Sequence, residues 1–300
     1  MIDATADTPL LPPPLQRWLA DRLPELEAVT DVSWPRDSSR VWRLSTPAGA
    51  AFAKISPSVE DYQREVYAYE HVAGVLADHE APRLLSADPH LRALLTTPLP
   101  GRVVRDLPLE PRAEQRAHEL AGQLLRRWHD HPVTDPDQVR GRIVASATAQ
   151  ADEASRCLER TAGQLTDDQY ALVEQVVHEL PALAEQLPIV YQHGDFSPRN
   201  WLWDESAESL GLIDFQLSAH GSAVGDLIWL HGALWPIRPD LKDAFFTGFA
   251  RDLTDAERRA LPLLTTRLAV SYLTTGLTVD NAMLIDRGRA VLARLVEAHG

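Results

Sequence analysis

Apolar positions in the first hundred residues of this chain alternate between short runs and helical stripes; beyond them the helical period dominates. After a proline-rich lead, Leu15, Trp18, Leu19 and Leu23 step by three and four, which predicts a helix entered from Pro12 to Pro14. Short apolar runs follow at Val32 to Trp34, Val41 to Leu44 and Ala51 to Ile55, separated by the polar stretch Arg36 to Arg40 and by Thr46 to Gly49. Proline and glycine between such runs predict tight reversals, hence a three-strand antiparallel meander with Lys54 near the end of its third strand. Ser58 is a good N-cap, with Asp61 three positions on. The apolar positions Val59, Tyr62, Val66, Tyr69, Ala73 and Leu76 then trace one face of a helix, and Glu65 flanks that face. Leu84 to Leu85 and Leu91 to Thr96 read as two further strands.

The stretch Thr97 to Gly101, with prolines at 98 and 100, breaks this pattern. Downstream, Ala117, Leu120, Ala121, Leu124, Leu125 and Trp128 mark a buried helix over 114–129, and a second is expected over 167–187. Two short strands, Trp201 to Trp203 and Gly211 to Ile213, precede helical patterns that run from Asp226 to the C-terminus. The reading is an α+β chain in two parts. Residues 1–98 form a small, strand-rich lobe, of which 1–14 are expected to lack order, and residues 99–300 form a larger, mainly helical lobe.

Composition narrows the functional classes. Of 300 residues, 45% are hydrophobic and 24% charged, as in ordinary soluble domains. The net charge of −14 argues against nucleic acid as a partner, because phosphate contacts need Lys and Arg. The single cysteine, Cys157, excludes an internal disulfide and reads as a small apolar filler. The N-terminus lacks the basic flank and apolar run of a signal peptide, and no apolar stretch is long enough to span a membrane, so a cytoplasmic protein is expected. Lysine occurs only at Lys54 and Lys242, against 27 arginines. Lys242 has the surroundings of a solvated helix start, whereas Lys54 ends a strand.

The chemistry concentrates in residues 193–215. His193-Gly194-Asp195 is followed, five positions after the aspartate, by Asn200; fourteen positions further on, Asp214 ends the apolar run Leu212-Ile213. Taken singly, Asp195 is an ordinary turn residue, and Asn200 and Asp214 are ordinary caps. Their conjunction is different, because strands between Asn200 and Asp214 allow a hairpin that brings two oxygen ligands together. Phosphoryl transfer needs such a pair for Mg²⁺, a group to orient the attacking hydroxyl, and a cation on the phosphates. Lys54, with Glu65 eleven residues on as its ion-pair partner, supplies the last.

The stretch from His193 to Asn200 resembles the His-Gly-Asp-x-x-x-x-Asn motif of small-molecule kinases of the aminoglycoside phosphotransferase and choline kinase type, distant relatives of protein kinases. Leu212-Ile213-Asp214-Phe215 resembles the metal-binding segment of that family, and Gly225-Asp226-Leu227 the region that follows it. The resemblance covers roughly residues 30 to 300 and implies a two-lobed, protein-kinase-like fold with an antiparallel-sheet N-lobe and a helical C-lobe. It further implies that Asp195 is the catalytic base or hydroxyl-orienting group and that Asn200 and Asp214 bind Mg²⁺. Lys54, positioned by Glu65, would contact the phosphates of ATP or GTP, and the backbone of Thr97 and Leu99 would hydrogen-bond the purine. Asp226 would brace the catalytic loop, His193 would be structural, and Arg199 would add a positive charge beside Asn200.

The chain also departs from protein kinases. The segment Arg36 to Arg40, where a nucleotide-covering loop is expected, holds no glycine; Gln216 replaces the glycine of Asp-Phe-Gly, and Gly194 replaces the catalytic-loop arginine. These departures favour a kinase of a small hydroxylated molecule, an antibiotic first, with a metabolic acceptor such as choline, a sugar or a homoserine-like compound as the alternative. A non-catalytic nucleotide-binding module is the remaining reading. Exposed carboxylates facing Asp195, with Asp240, Asp280 and Asp286 as candidates, would suit a polycationic acceptor. An aromatic or arginine-lined pocket would suit a neutral or anionic one.

Overall fold

The short apolar runs near the N-terminus pair with one another, and the long helical stripes pack on one another. A computed structural model describes residues 11–34 and 39–299. In chain order the elements are helix α1 (Pro13–Ala20), strands β1 (Ala28–Asp31), β2 (Arg40–Thr46) and β3 (Gly49–Ile55), helix α2 (Val59–Tyr67), and strands β4 (Leu84–Asp88), β5 (Ala93–Thr96) and β6 (Arg102–Val103). Then come helices α3 (Pro111–His129), α4 (Pro136–Arg160) and α5 (Asp167–Ala184), and strands β7 (Ile189–Gln192), β8 (Trp201–Asp204), β9 (Ser209–Leu212) and β10 (Ala219–Ser222). Helices α6 (Pro239–Phe249), α7 (Asp255–Val279) and α8 (Ala282–His299) complete the chain.

Two compact units result, one reaching Leu107 and including Asn200–Ser218, the other comprising Pro108–Arg199 and residues from Ala219 onward. A single cut after residue 98 would leave 200–218 with the second unit. They join the first because β8 pairs with β6, Arg102 opposite Trp203 and Val103 opposite Leu202. Gly101 permits that approach: at φ +106°, a Cβ there would lie 2.6 Å from the Trp203 carbonyl group.

In the first unit a five-stranded antiparallel sheet runs in the order β1-β2-β3-β5-β4. One face is closed by α1, whose Leu15, Trp18 and Leu19 join Trp42, Leu44, Ala51 and Ala53 in a buried cluster. Each such large side chain contributes roughly 1.5–3 kcal/mol by leaving water. Leu11 belongs to this cluster, and Pro13 and Pro14 begin α1, so residues 11–14, expected to lack order, are ordered; residues 1–10 lie outside the described residues. The first strand is Ala28–Asp31 rather than Val32 to Trp34. Asp31 ends it by accepting the Ser33 N–H at 2.9 Å, which leaves Val32 and Trp34 exposed. Of the expected covering loop, Arg36 to Ser38 lie outside the described residues, whereas Ser39 is buried. Helix α2 starts where expected, the Ser58 hydroxyl accepting the Asp61 N–H at 3.0 Å, and continues through a π turn over Ala68–Val72.

The second unit is mainly helical. Helices α3 and α6 touch backbone to backbone, because a Cβ on Gly122 would stand 2.1 Å from the Phe245 carbonyl oxygen and one on Gly248 1.8 Å from that of Glu119. Capping boxes at Thr166 with Gln169 and at Thr254 with Glu257 start α5 and α7. Helix α4 has no counterpart in the sequence reading. Its buried stripe, Val139, Ile143, Ala147, Ala151, Ala154 and Cys157, is too alanine-rich to stand out as a hydrophobic period. Cys157 is the buried filler expected. The small β7–β10 sheet was also unforeseen, since Ala-His-Gly-Ser carries no strand-like alternation. Among the described residues no helix is long and apolar enough to cross a membrane.

Candidate functional site

Lys54, on β3, projects its ammonium between two carboxylates of the first unit. Nζ lies 2.7 Å from Asp214 Oδ1, 3.0 Å from Glu65 Oε1 and 2.8 Å from Glu65 Oε2. The register of the sheet and the cap of α2 set this geometry: Lys54 is held opposite Val41 and Leu94, and Glu65 sits seven residues after the Ser58 cap with its side chain 2% exposed. Burial alone would lower the Lys54 pKa, but the Asp214 and Glu65 carboxylates outweigh it and hold it above the ordinary lysine value. Burial pushes the Glu65 carboxyl up to about 6, the Lys54 charge opposing and the Asp214 charge adding to the rise.

Asp214 arrives from the β8–β9 hairpin. Trp201 pairs with Leu212, and the Ile213 N–H donates to the Asn200 carbonyl at 3.0 Å, so Asn200 lies directly across the ladder from the residue before Asp214. Asp214 then turns at φ +69°, a left-handed conformation that aspartate tolerates better than most residues. The next residue, Phe215, is fully buried, its ring edge-on to Tyr69 at 5.1 Å. Tyr69 lies in the π turn that continues α2, so the helix that carries Glu65 also anchors the segment that carries Asp214. Ser39 donates to Gln216 Oε1 at 2.9 Å and ties the end of the β1–β2 connection to the same segment.

Asn200 and Asp214 offer an amide and a carboxylate oxygen, hard donors of the kind Mg²⁺ takes. Among the described residues no group of three or more His, Cys, Asp or Glu side chains gathers for a metal. Two protein oxygens fit a metal whose remaining ligands are phosphate and water, which is the usual condition of Mg²⁺ on a nucleotide. The donor set therefore suits that ion.

In the second unit the loop after β7 is built around Asp226. Its carboxylate, with no exposed side-chain surface, accepts the His193 N–H at 2.9 Å and the Gly194 N–H at 2.7 Å, and lies 2.8 Å from His129 Nε2. A carboxylate only accepts, so Nε2 carries the hydrogen in that last bond. Gly194, at φ +84°, makes the turn that presents Asp195. His193 is fully buried, and the Phe196 ring packs between the His193 ring at 5.9 Å and the Phe245 ring at 6.3 Å. Arg199 reaches back to Asp195 Oδ2 through Nε at 2.9 Å and through Nη2.

Lys54, Glu65, Asn200 and Asp214 are thus gathered in one unit, while Asp195 belongs to the loop of the other. Thr97 is engaged on its N–H side. Its N–H donates to the Arg83 carbonyl at 2.9 Å and its hydroxyl accepts the Arg83 N–H at 2.8 Å, so the N–H is spent within the sheet and only the carbonyl could serve a purine. Leu99 lies against Gly211, where a Cβ would come within 2.3 Å of its Cδ2. Of the acidic candidates for an acceptor pocket, Asp240 is held by Arg238 at 2.9 and 2.8 Å, which draws its pKa down to about 2. Asp280 and Asp286 are exposed. His129 and the Asp195–Arg199 pair were not singled out in the sequence. The four-residue step from Asp195 to Arg199 was the available signal for the pair, whereas no spacing rule links His129 to Asp226.

These features can be set beside known proteins. The profile of the phosphotransferase enzyme family, APH, matches residues 29–263. A homoserine kinase of Gluconacetobacter diazotrophicus is 32% identical over 214 residues, which cover 68% of this chain and 62% of that protein. The GDP complex of wild-type aminoglycoside 2'-phosphotransferase-IIIa superposes with a TM-score of 0.66 at 15% identity, covering 95% of this chain and 98% of the other. The ADP-bound aminoglycoside phosphotransferase APH(2'')-Ib gives a TM-score of 0.66 at 14% identity, over 96% and 99% of the two chains. At such identities the structures establish the fold, the protein-kinase-like one with its antiparallel-sheet N-terminal part and helical remainder. The sequence match over most of the chain establishes the lineage: the protein belongs to the phosphotransferase enzyme family.

Proposed function

We propose that the protein transfers the terminal phosphate of ATP or GTP to a hydroxyl of a small molecule, with Mg²⁺ as the metal. The observation that carries this reading is the Lys54–Glu65–Asp214 cluster, in which Asp214 follows a hairpin whose other end is Asn200. Lys54 binds the α and β phosphates and Glu65 keeps its ammonium charged and directed. Asn200 and Asp214 would hold the metal, which would supply charge neutralisation to the nucleotide phosphates. Asp195 orients the acceptor hydroxyl. The acceptor oxygen bonds to the γ-phosphorus as the bond to the β–γ bridging oxygen breaks. The nucleoside diphosphate leaves with that electron pair, and the hydroxyl proton passes to the Asp195 carboxylate and on to solvent. Such a reaction is accelerated mostly by positioning and charge neutralisation.

Two acceptor classes enter from the relatives. The names of the superposed structures point to aminoglycoside antibiotics and that of the 32%-identical relative to homoserine. The test is a nucleotide-consumption screen of the purified chain over antibiotics and hydroxylated metabolites, with ATP and with GTP. Turnover with at least one acceptor is expected, abolished in Asp195→Ala while nucleotide binding persists. Binding of nucleotide with no turnover on any acceptor would instead favour a non-catalytic module.

A further inference from the structure

Two glycines precede Asp226, Gly221 within β10 and Gly225 in the 3₁₀ turn Ala223–Leu227, and neither has a positive φ that would demand glycine. What they share is a neighbour. A Cβ on Gly221 would lie 2.0 Å from Gln192 Oε1 and one on Gly225 1.9 Å from Gln192 Nε2; at both positions the three nearest atoms all belong to Gln192. One side chain thus fills the space that two absent ones leave. Its Nε2 donates to the carbonyl of Ser222, which lies between the two glycines in the chain. Glycine inside a strand or a helical turn weakens it, and two such positions around one amide mark a close approach.

The course of the chain makes this side chain a strut. Strand β10 runs antiparallel to β7, with Ala219 opposite Gln192 and Ser222 opposite Ile189, so at Ser222 the chain has moved about 10 Å along the ladder from Gln192. The turn then brings Asp226 back to the two residues that follow Gln192, whose N–H groups its carboxylate accepts. Gln192 spans that return. It closes a ring that runs from its amide to Ser222, along the turn to the Asp226 carboxylate, and through the His193 N–H back to Gln192. Glutamine suits the place, because its side chain crosses Gly221 and ends in a donor for a carbonyl, whereas glutamate has the length without the donor. Resting on the reading of Asp195 as the carboxylate that meets the acceptor hydroxyl, we propose that Gln192 is a positioning residue. It fixes the Asp226 turn against the end of β7 and, through Asp226, sets the backbone that presents Asp195.

The experiment is a double-mutant cycle on the full chain, read by amide hydrogen exchange and by turnover with Mg²⁺, ATP and the acceptor that the nucleotide-consumption screen returns, homoserine and kanamycin being tried first. Gln192→Ala should speed exchange of the His193 and Gly194 amides by about tenfold or more and leave the β8–β9 hairpin unchanged. Its kcat should fall by about tenfold or more, with the nucleotide and acceptor KM values within about twofold. Gly225→Ala should reproduce both effects, because its methyl group expels the Gln192 amide, yet in the Gln192→Ala background it should add nothing. Gln192→Glu keeps the length and loses the donor, and should show both effects even where truncation to alanine prevents folding. Unchanged exchange at His193 and Gly194 in the Gln192 variants would overturn the proposal whatever their activity. Faster exchange with kcat unchanged would make Gln192 a strut of the fold without a part in the reaction, and additive losses in the double variant would separate Gly225 from it; either overturns the proposal while the phosphotransferase reading stands. No turnover across the screen, nucleotide being bound, would sink both.

Discussion

Two acidic centres, a part-buried one in the first unit and a buried one in the second, solve the problem of an interior charge in opposite ways. Around Lys54, two carboxylates share one ammonium, so the cluster carries a formal excess of negative charge when all three groups are ionised. Asp226 instead meets two backbone N–H groups and a histidine N–H, and all its bonds stay within the fold. Buried charges are tolerated when paired and hydrogen-bonded, and both centres meet that condition. The difference lies in what each can still accept. The Lys54 cluster gains from an added cation, whereas Asp226 is satisfied by fixed donors. On the proposed function the first centre exchanges partners with a ligand, while Asp226 holds a loop in place.

The largest expected effects test this contrast directly. Asp214→Asn keeps a residue that tolerates the left-handed turn and leaves Lys54 its Glu65 partner, so the protein should melt within about 2–3 °C of the unmodified chain while turnover falls by about 10³-fold or more. Asp226→Asn should invert that pattern. Its amide nitrogen would face a donor, and at least one of the three groups now bonded would lose its acceptor, a cost of about 3 kcal/mol. Thermal unfolding should show a drop of several degrees, accompanied by a loss in kcat with little change in the nucleotide KM. A destabilised Asp214→Asn together with a stable, inactive Asp226→Asn would reverse the assignment of the two centres.

The two centres also differed in how far they could be read from the chain. Asp195, Asn200 and Asp214 lie on one continuous strip at spacings set by a short hairpin, and Lys54 stands out because arginine fills almost every other basic position. Local chemistry made those residues legible. The brace was legible only in part, because Asp226 falls near the motif, but its partner His129 lies 97 residues away on α3 and the contact exists only through packing. The same limit hid β7 and β10, whose pairing is long-range and whose Gly221 sits under the Gln192 side chain. Helix α4 was missed for another reason: an alanine stripe buries well but contrasts weakly with its polar neighbours. Thr97 shows a related limit: its N–H is engaged by the Arg83 carbonyl, a pairing that no local pattern announces.

The smallest effect is a matter of pH and belongs to the Lys54 centre alone. Glu65 titrates near 6 in the folded protein against an ordinary value of 4.5, raised by burial against the pull of Lys54. Its pKa is raised on folding, so its contribution to stability is present below about 4.5 and is lost as pH climbs through about 6. On the proposed function activity runs the other way, because the ionised form is the one that holds Lys54. As pH falls through about 6, protonation frees the ammonium from Glu65, and kcat/KM for the nucleotide should decline by roughly tenfold over the limb. Glu65→Gln removes the titrating group, so the variant should lose several-fold activity at pH 8, show no acid limb near 6, and gain stability relative to the unmodified protein as pH rises from 5 to 8. Asp226→Asn leaves Glu65 and Lys54 in place and should retain the limb in whatever activity survives. Persistence of the limb in Glu65→Gln would assign it to another group and separate Glu65 from the control of Lys54.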